Sequence, residues 1–334
     1  MRNLLRRILF YIGAAWAAIT LNFLLPRLAP GNPAELVVDK MMTNGFHPNP
    51  AFIASIEAQM GYNPKTPLWA QYLNYLNDLL HGNLGVSLSY SFTPVSQVIG
   101  QDIWWTLGLG MVAVLLSFGI GTLLGIIVAW RRGGVADTIL TPMLNFFGSV
   151  PYFWLALVFV WLFAFALHWF PPLDSWSMLD FNGPEFSLSF ILDMLDHAIL
   201  PALTIVLVSL GGWLLLARNV MITTLSEDYV LMARAKGLSN FRVMFIYAAR
   251  NAILPNIAGF AMSLGFIVGG QVLTEMIFNY HGIGYALLVA IQQKDYALVQ
   301  GIFLFIALGV LMANFLADLV YLWLDPRVRV ERSA

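Results

Sequence analysis

A few polar and ionisable side chains lie within or beside long apolar stretches of this sequence, and they have the strongest potential for chemistry. The uncharged ones, which could line a polar pathway or bond neighbouring helices, are Asn145, Ser149, Gln271 and Asn314. The ionisable ones are Glu275, Asp137 and Asp318. A charge in an apolar medium is costly and usually has a role, but each acid is close enough to the end of its stretch to pair with a base or with backbone. They form no ladder of carboxylates, which argues against a proton-driven pump.

Catalytic motifs that spacing would reveal are missing from the sequence. There is no His-Glu-x-x-His zinc motif, no Gly-x-Ser-x-Gly nucleophile elbow and no Gly-Lys-Ser/Thr phosphate loop. The five histidines are far apart, and the absence of cysteine excludes disulfides, thiolate ligands and cysteine nucleophiles. The sequence therefore predicts a protein that is not an enzyme, holds no metal and does not hydrolyse ATP by itself.

A stretch of about thirty residues, 226–255, combines charge with helix punctuation between two apolar segments. Ser226 predicts the N-cap of a short helix. Charges of the sign that a helix dipole favours follow at its two ends: Glu227 and Asp228 at the start, Arg234 and Lys236 at the finish.

The same stretch then turns into a second predicted helix. Gly237 fits a left-handed cap, and Ser239 predicts the N-cap of a helix that carries Arg242 and Arg250 and runs to Pro255. Two interpretations remain open: an amphipathic hairpin on lipid headgroups, or a surface that contacts another protein. The tight Lys-Gly-Leu-Ser turn favours the protein contact.

The elements that must position these residues are transmembrane helices. A chain of 334 residues that is 59% hydrophobic and 10% charged cannot bury its apolar surface in one water-soluble core. Six stretches are apolar and reach the length of about 20 residues that a helix needs to span a bilayer: Ile8 to Leu28, Thr106 to Trp130, Thr141 to Trp169, Ala198 to Ala217, Leu254 to Phe278 and Val299 to Leu324. None alternates as barrel strands do. We expect an all-α integral membrane protein with six transmembrane helices in one domain, residues 1–334.

The distribution of Lys and Arg predicts the orientation of these helices. Thirteen of the seventeen basic residues fall on one side of the six stretches, which makes that side cytoplasmic. Both termini and the 226–255 stretch are then cytoplasmic. The net charge of -1 gives no indication of a nucleic-acid partner.

Two connections on the opposite side are long. The external loop from about 29 to 103 contains Leu68 to Leu80, whose apolar residues recur at helical spacing and predict an amphipathic helix. That helix could pack on the outer ends of the spans or contact a partner. The connection from Phe170 to His197 has five carboxylates and no Lys or Arg, so it is either a solvated loop or a docking surface.

Small residues and prolines predict local features inside the spans. Gly121 with Gly125, and Gly265 with Gly269, have the spacing that lets helix backbones approach closely. Pro151 lies deepest of the prolines and predicts a kink.

Over nearly its whole length the sequence resembles permease subunits of the oligopeptide and dipeptide class of ATP-binding-cassette importers. The strongest match, Tyr229-Val-Leu-Met-Ala-Arg-Ala-Lys-Gly237-Leu-Ser with Asn251 and Pro255, is similar to the cytoplasmic loop by which these permeases dock onto their ATPases. Shorter matches are Pro30-Gly-Asn-Pro33, Gly82-Asn-Leu-Gly-Val-Ser87, Ser149-Val-Pro-Tyr-Phe153, His197-Ala-Ile-Leu-Pro201, Thr274-Glu-Met-Ile-Phe278 and Asp325-Pro-Arg327. Leu231-Met232-Ala233 departs from the usual Glu-Ala-Ala, and Asn32 and Asn83 stand where Asp is frequent.

The resemblance implies a type I importer permease fold in the cytoplasmic membrane of a prokaryote. It also implies partners: a second homologous permease subunit, two ATPase subunits that bind ATP and Mg, and an extracytoplasmic solute-binding protein. The implied ATPase-coupling loop spans about 218–253. Its candidate contact residues are Glu227, Asp228, Tyr229, Ala233, Arg234, Ala235, Lys236, Gly237, Leu238 and Ser239.

The resemblance leaves the substrate open. Peptides are the commonest cargo of this class, but relatives carry short oligosaccharides. Tryptophans that could suit sugar faces, or could anchor the chain at the membrane interface, are Trp69, Trp104, Trp105, Trp169 and Trp176. An ion-coupled carrier that acts alone is the rival from another class, and an intramembrane enzyme lacks catalytic residues.

Overall fold

The computed structural model describes residues 2–28, 42, 49, 66–181 and 183–324. Several sequence features lie outside these residues, among them Pro30-Gly-Asn-Pro33 with Asn32, most of the first half of the predicted external loop, and Asp325-Pro-Arg327. The described residues fall into two compact units, one within Met1–Thr106 and His281–Met312, the other within Leu107–Tyr280 and Ala313–Ala334.

Helices dominate the described chain, as expected for an all-α membrane protein. The first elements are α1 (Arg2–Leu28), α2 (Leu68–Leu80), the short antiparallel strands β1 (Val86–Ser87) and β2 (Thr93–Pro94), α3 (Val95–Trp130), α4 (Val135–Ser149) and α5 (Tyr152–Ala166, π-helical from Val160). Next come α6 (Leu188–Thr224), α7 (Asp228–Ala235) and α8, which joins Asn240–Arg242, the π-helical Val243–Ala249 and Arg250–Ala252. The last are α9 (Leu254–Gly270), α10 (Val272–Phe278), α11 (Ile283–Gln293) and α12 (Tyr296–Leu324).

Membrane-spanning helices can be recognised from their length and apolar composition. Among the described residues, α1, α3, α6 and α12 are long and apolar enough to cross a bilayer, and the bent pair of α4 and α5 makes a fifth span if counted as one. The fifth predicted span, Leu254 to Phe278, is interrupted at Gln271 into α9 and α10. Helix α3 also starts at Val95, well before the predicted Thr106.

The predicted kink at Pro151 is confirmed and is sharp. Helices α4 and α5 meet at an angle of 98° around Val150 and Pro151. Proline has no N–H to continue the ladder of α4, and its fixed φ suits the start of a new helix. The predicted third span is therefore two helices with different directions.

In the first unit, the predicted amphipathic helix is confirmed as α2, and it packs on the end of α1. The hydroxyls of Thr20 and Tyr72 share a hydrogen bond of 2.7 Å, and Asn22 Nδ2 donates to Tyr75 Oη at 3.2 Å. The ring of Phe23 packs edge-on against Tyr72. Of the two interpretations, packing on a span is the one that these contacts support.

The hairpin of β1 and β2 is attached to the start of α12 by a buried carboxylate. Asp295 accepts hydrogen bonds from Ser87 Oγ (2.6 Å) and the Ser89 N–H (2.9 Å) through one oxygen, and from the Leu298 N–H (3.1 Å) through the other. Asp295 thus caps α12 and holds the hairpin against it.

In the second unit, glycines allow α3 and α6 to touch through their backbones. An ideal Cβ on Gly121 would lie 2.6 Å from Trp213 Cβ, and one on Gly125 would lie 2.5 Å from the Leu214 carbonyl oxygen. Gly265 makes a similar approach to Ala313 of α12. The close packing predicted from the first glycine pair is confirmed.

Candidate functional site

The segment between α6 and α9, which we call the coupling segment, contains the first candidate site. Its first helix, α7, has Glu227 at the N-cap position and Asp228 as its first residue. The prediction that Ser226 caps it is wrong, because α6 continues to Thr224 and Ser226 Oγ instead donates to the Thr223 carbonyl at 2.7 Å. The two acids still lie at the positive end of the α7 dipole.

Gly237 ends α7 in the predicted left-handed conformation, with φ of +74°. The Gly237 N–H donates to the Arg234 carbonyl at 2.9 Å, and the Leu238 N–H reaches the Ala233 carbonyl at 3.4 Å. Ser239 occupies the N-cap position of α8, and its carbonyl accepts from the Val243 N–H at 3.0 Å. The helix–turn–helix predicted from sequence is therefore confirmed.

The inner face of α7 is buried in an apolar cluster, which we call the inner cluster. Val230 and Ala233 project into it and are 0% and 2% exposed. The other members come from three helices: Ile126 and Ala129 of α3, Met221 of α6, and Val243, Ala248, Ala249 and Ala252 of α8. Because proteins pack their interiors tightly, this cluster holds α7 directly against α3, α6 and α8.

Both ends of α7 are also attached by polar contacts. At its start, Asn251 Nδ2 of α8 donates to Tyr229 Oη at 2.9 Å. At its end, the Arg234 guanidinium lies over the ring of Trp130, 4.9 Å from the centroid, which is a cation–π distance. Trp130 is the last residue of α3, and sequence reasoning did not single it out.

The outer face of α7, the turn after it and the start of α8 are exposed and combine apolar with basic side chains. Met232 is 59% exposed, and Leu231 and Phe241 are exposed as well. Lys236 and Arg242 are exposed beside them. Large apolar side chains grouped on a surface are typical of a protein–protein contact.

A bidentate ion pair connects α6 to α4 near the coupling segment. Arg218 Nε and Nη2 donate to the two oxygens of Asp137 at 2.8 and 2.9 Å. The Gly133 N–H and the Thr141 hydroxyl also donate to Asp137, at 3.0 and 3.1 Å. The expectation that Asp137 pairs with a base and with backbone is confirmed.

The candidate pathway residues do not form one group. Asn145 and Ser149 are exposed on α4, where Ser149 Oγ donates to the Asn145 carbonyl at 2.9 Å. Asn314 is half-buried on α12. Gln271 and Glu275 are buried together at the start of α10, and Thr274, which sequence reasoning did not include as a site residue, is buried between them.

A buried asparagine connects three of the helices, and the described residues contain no cluster that could hold a metal ion. Asn256 is fully buried and donates to Thr122 Oγ1 at 2.8 Å and to the Trp213 carbonyl at 3.3 Å, which connects α9 to α3 and α6. Within the part of the chain that the structure describes, no group of three or more His, Asp or Glu side chains could hold a metal ion.

Comparison with known families gives the class of protein that has this arrangement. Residues 121–330 match the family described as the binding-protein-dependent transport system inner membrane component. This range includes the whole coupling segment and α10. The chain belongs to this family, and it is a multi-pass inner-membrane permease, a subunit that serves transport.

Individual relatives match over almost the whole chain. The chain is 32% identical over 326 residues to the probable peptide ABC transporter permease protein y4tP of Sinorhizobium fredii, with 98% of each chain covered. It is 34% identical over 348 residues to the di/tripeptide transport system permease protein DppB of Pseudomonas aeruginosa, with 98% of each covered. It is 31% identical over 348 residues to the dipeptide transport system permease protein DppB of Escherichia coli K12, covering 99% of this chain and 100% of that one. The resemblance inferred from sequence is confirmed.

Proposed function

We propose that this chain is the permease subunit of an ATP-driven importer that moves dipeptides or oligopeptides across the cytoplasmic membrane by alternating access. The observation that carries the proposal is the exposed outer face of a helix whose inner face is packed into the spans. Full-length similarity to permeases named for peptides favours peptides over oligosaccharides. Membership of a binding-protein-dependent family argues against an ion-coupled carrier that acts alone.

The proposed orientation places the coupling segment and both termini in the cytoplasm. Its support is the excess of Lys and Arg on that side of the spans. The acidic connection from Phe170 to His197 then faces outward, where the solute-binding protein docks.

The proposed partners are a second homologous permease, two ATPase subunits and an extracytoplasmic solute-binding protein. ATP and Mg belong to the ATPases, because this sequence has no phosphate loop. Leu231, Met232 and Phe241 contact the ATPase, with Lys236 and Arg242 beside them.

In the proposed mechanism, the remaining coupling residues attach α7 to the spans. Ala233 packs into the inner cluster with Val230, while Tyr229 and Arg234 make the two polar attachments at its ends. Closure of the ATPases moves α7, and α3 and α6 follow. Coupling requires that the two states differ in their contacts at this joint.

Cysteine crosslinking tests the docking directly, since the chain has no cysteine of its own. We expect Met232→Cys to form a disulfide with a cysteine placed in the cleft of an ATPase subunit in the assembled transporter. Leu179→Cys, on a fully exposed residue of the connection predicted to be external, is the matched control and should form none. Equal crosslinking at both positions, or none at Met232→Cys, contradicts the proposed docking.

A further inference from the structure

At the interruption of the predicted fifth span, a row of polar side chains lies buried inside the second unit. Helix α9 ends at Gly270, and α10 begins at Val272. Gln271, Thr274 and Glu275 follow at spacings of three and four residues, so they lie on one face of α10. We call this row the α10 polar face.

The α10 polar face is buried, and two of its side chains, Gln271 and Thr274, have unused hydrogen-bonding capacity. Gln271 is 6% exposed, and Thr274 and Glu275 are 0% exposed. Gln271 Oε1 and Thr274 Oγ1 have no hydrogen-bond partner among the described residues. Buried polar atoms in native proteins are nearly always paired, so these two oxygens indicate a ligand with N–H or O–H donors.

Two ionisable residues, Glu275 on the α10 polar face and Tyr280 just after α10, are connected through the backbone. The Tyr280 N–H donates to the Glu275 carbonyl at 2.9 Å. Burial, with a smaller contribution from the Glu275 carboxyl, raises the pKa of the Tyr280 phenol, which stays neutral. Gln271 and Thr274 carry donors as well as acceptors, so the Glu275 carboxyl is the group at this face that favours a cation with several N–H donors.

In this structure three helices cover the face: α5 and α6 pack against α10, and α3 lies at the interruption. An ideal Cβ on Gly110 would lie 2.3 Å from Ile267 Cγ2 and 2.4 Å from Gln271 Nε2, so α3 packs directly on the interruption. The far end of α10 is tied to the acidic connection, because the Asp174 N–H donates to the Phe278 carbonyl at 2.8 Å. Because Thr274 and Glu275 are 0% exposed, a ligand reaches the face only when the helices that cover it separate.

We propose that the α10 polar face binds the α-ammonium group of the peptide during transport. This inference rests on the proposed peptide import. An ammonium group has three N–H donors for the Gln271, Thr274 and Glu275 oxygens. A peptide carboxylate would lie beside the Glu275 carboxyl, and two carboxyl groups at one site disfavour each other, so the amino end of the peptide is the end that is bound.

The test uses saturation-transfer NMR on the complete transporter in nanodiscs, trapped with ATP and orthovanadate and without the solute-binding protein. The probes are dialanine and N-acetyl-dialanine. We expect the N-terminal methyl signal of dialanine to exceed that of the acetylated peptide by about fivefold or more, the effect of losing about one hydrogen bond.

Three variants test whether the difference between the NMR signals of the two peptides arises at the α10 polar face. Thr274→Val and Glu275→Gln should reduce the dialanine signal to that of the acetylated peptide. Thr204→Val removes a buried hydroxyl that already donates to the Leu200 carbonyl, and it should leave the signal unchanged. Equal signals from the two peptides, or equal behaviour of Thr274→Val and Thr204→Val, would overturn the inference.

Uptake of dialanine by the wild-type transporter with its solute-binding protein separates the two proposals. If uptake is driven by ATP but the NMR signals do not distinguish the peptides, the ammonium site is wrong and peptide import stands. If no dialanine enters, peptide import itself is wrong, and the ammonium site fails with it.

Discussion

At the scale of single residues, the turn between α7 and α8 depends on Gly237. Its φ of +74° lies in the left-handed region, which costs other residues about 1–2 kcal/mol. No described atom lies within 4 Å of an ideal Cβ at this position. The glycine is therefore required by the backbone conformation and not by lack of space.

We expect Gly237→Asp to uncouple transport while the protein stays in the membrane. A negative charge in the turn, where Lys236 and Arg242 are exposed, should oppose docking and reduce ATP-driven uptake by about tenfold. The measurement is peptide uptake alongside co-purification of the ATPases. Gly237→Asn is the control, since asparagine tolerates this conformation. Normal uptake by the aspartate variant would show that the turn has no role in docking.

At the scale of elements, α7 is attached to the spans by contacts that join distant parts of the chain. Trp130 ends α3, and Arg234 lies over its ring from α7. Asn251 of α8 contacts Tyr229 at the other end. The two attachments and the inner cluster hold α7 against the spans, which is the contact that the proposed coupling requires.

We expect Trp130→Ala to lower the number of peptides transported per ATP by about two- to fivefold, because an exposed cation–π contact contributes about 0.5–1 kcal/mol. Trp130→Phe keeps an aromatic face for Arg234 and should lose less. The ratio is measured in proteoliposomes from parallel uptake and phosphate-release assays. If the alanine and phenylalanine variants give the same ratio as wild type, the contact does not transmit motion.

The close contact of α3 with α6 gives a prediction about stability. Gly125→Val places atoms against the Leu214 carbonyl and Ala217 Cβ, where an ideal Cβ already lies 2.5 and 2.7 Å away. Overpacking of this kind costs about 1–3 kcal/mol, so the Tm in detergent should fall by several degrees. Gly119→Val, with no described atom within 4 Å of its ideal Cβ, is the control on the same helix. Equal Tm values for the two variants would contradict the packing.

At the scale of the whole molecule, the features that follow from local signals could be predicted from the sequence. The amphipathic α2, the left-handed Gly237 and the kink at Pro151 each depend on a few neighbouring residues. The prediction that Ser226 caps α7 was wrong because the Ser226 hydroxyl donates to the Thr223 carbonyl at the end of α6. The interruption at Gln271 and the Trp130–Arg234 contact depend on packing between segments far apart in sequence, which spacing alone does not contain.

The central claim is that this chain transports peptides only when ATPases act on it through the coupling segment. The direct measurement is accumulation of labelled dialanine in proteoliposomes that contain this chain, its partner permease, the ATPases and the solute-binding protein. We predict accumulation that requires ATP on the ATPase side and is abolished when the ATPases are omitted. Accumulation by this chain alone under an ion gradient, or uptake that does not depend on ATP, would contradict the claim that the ATPases drive transport through the coupling segment.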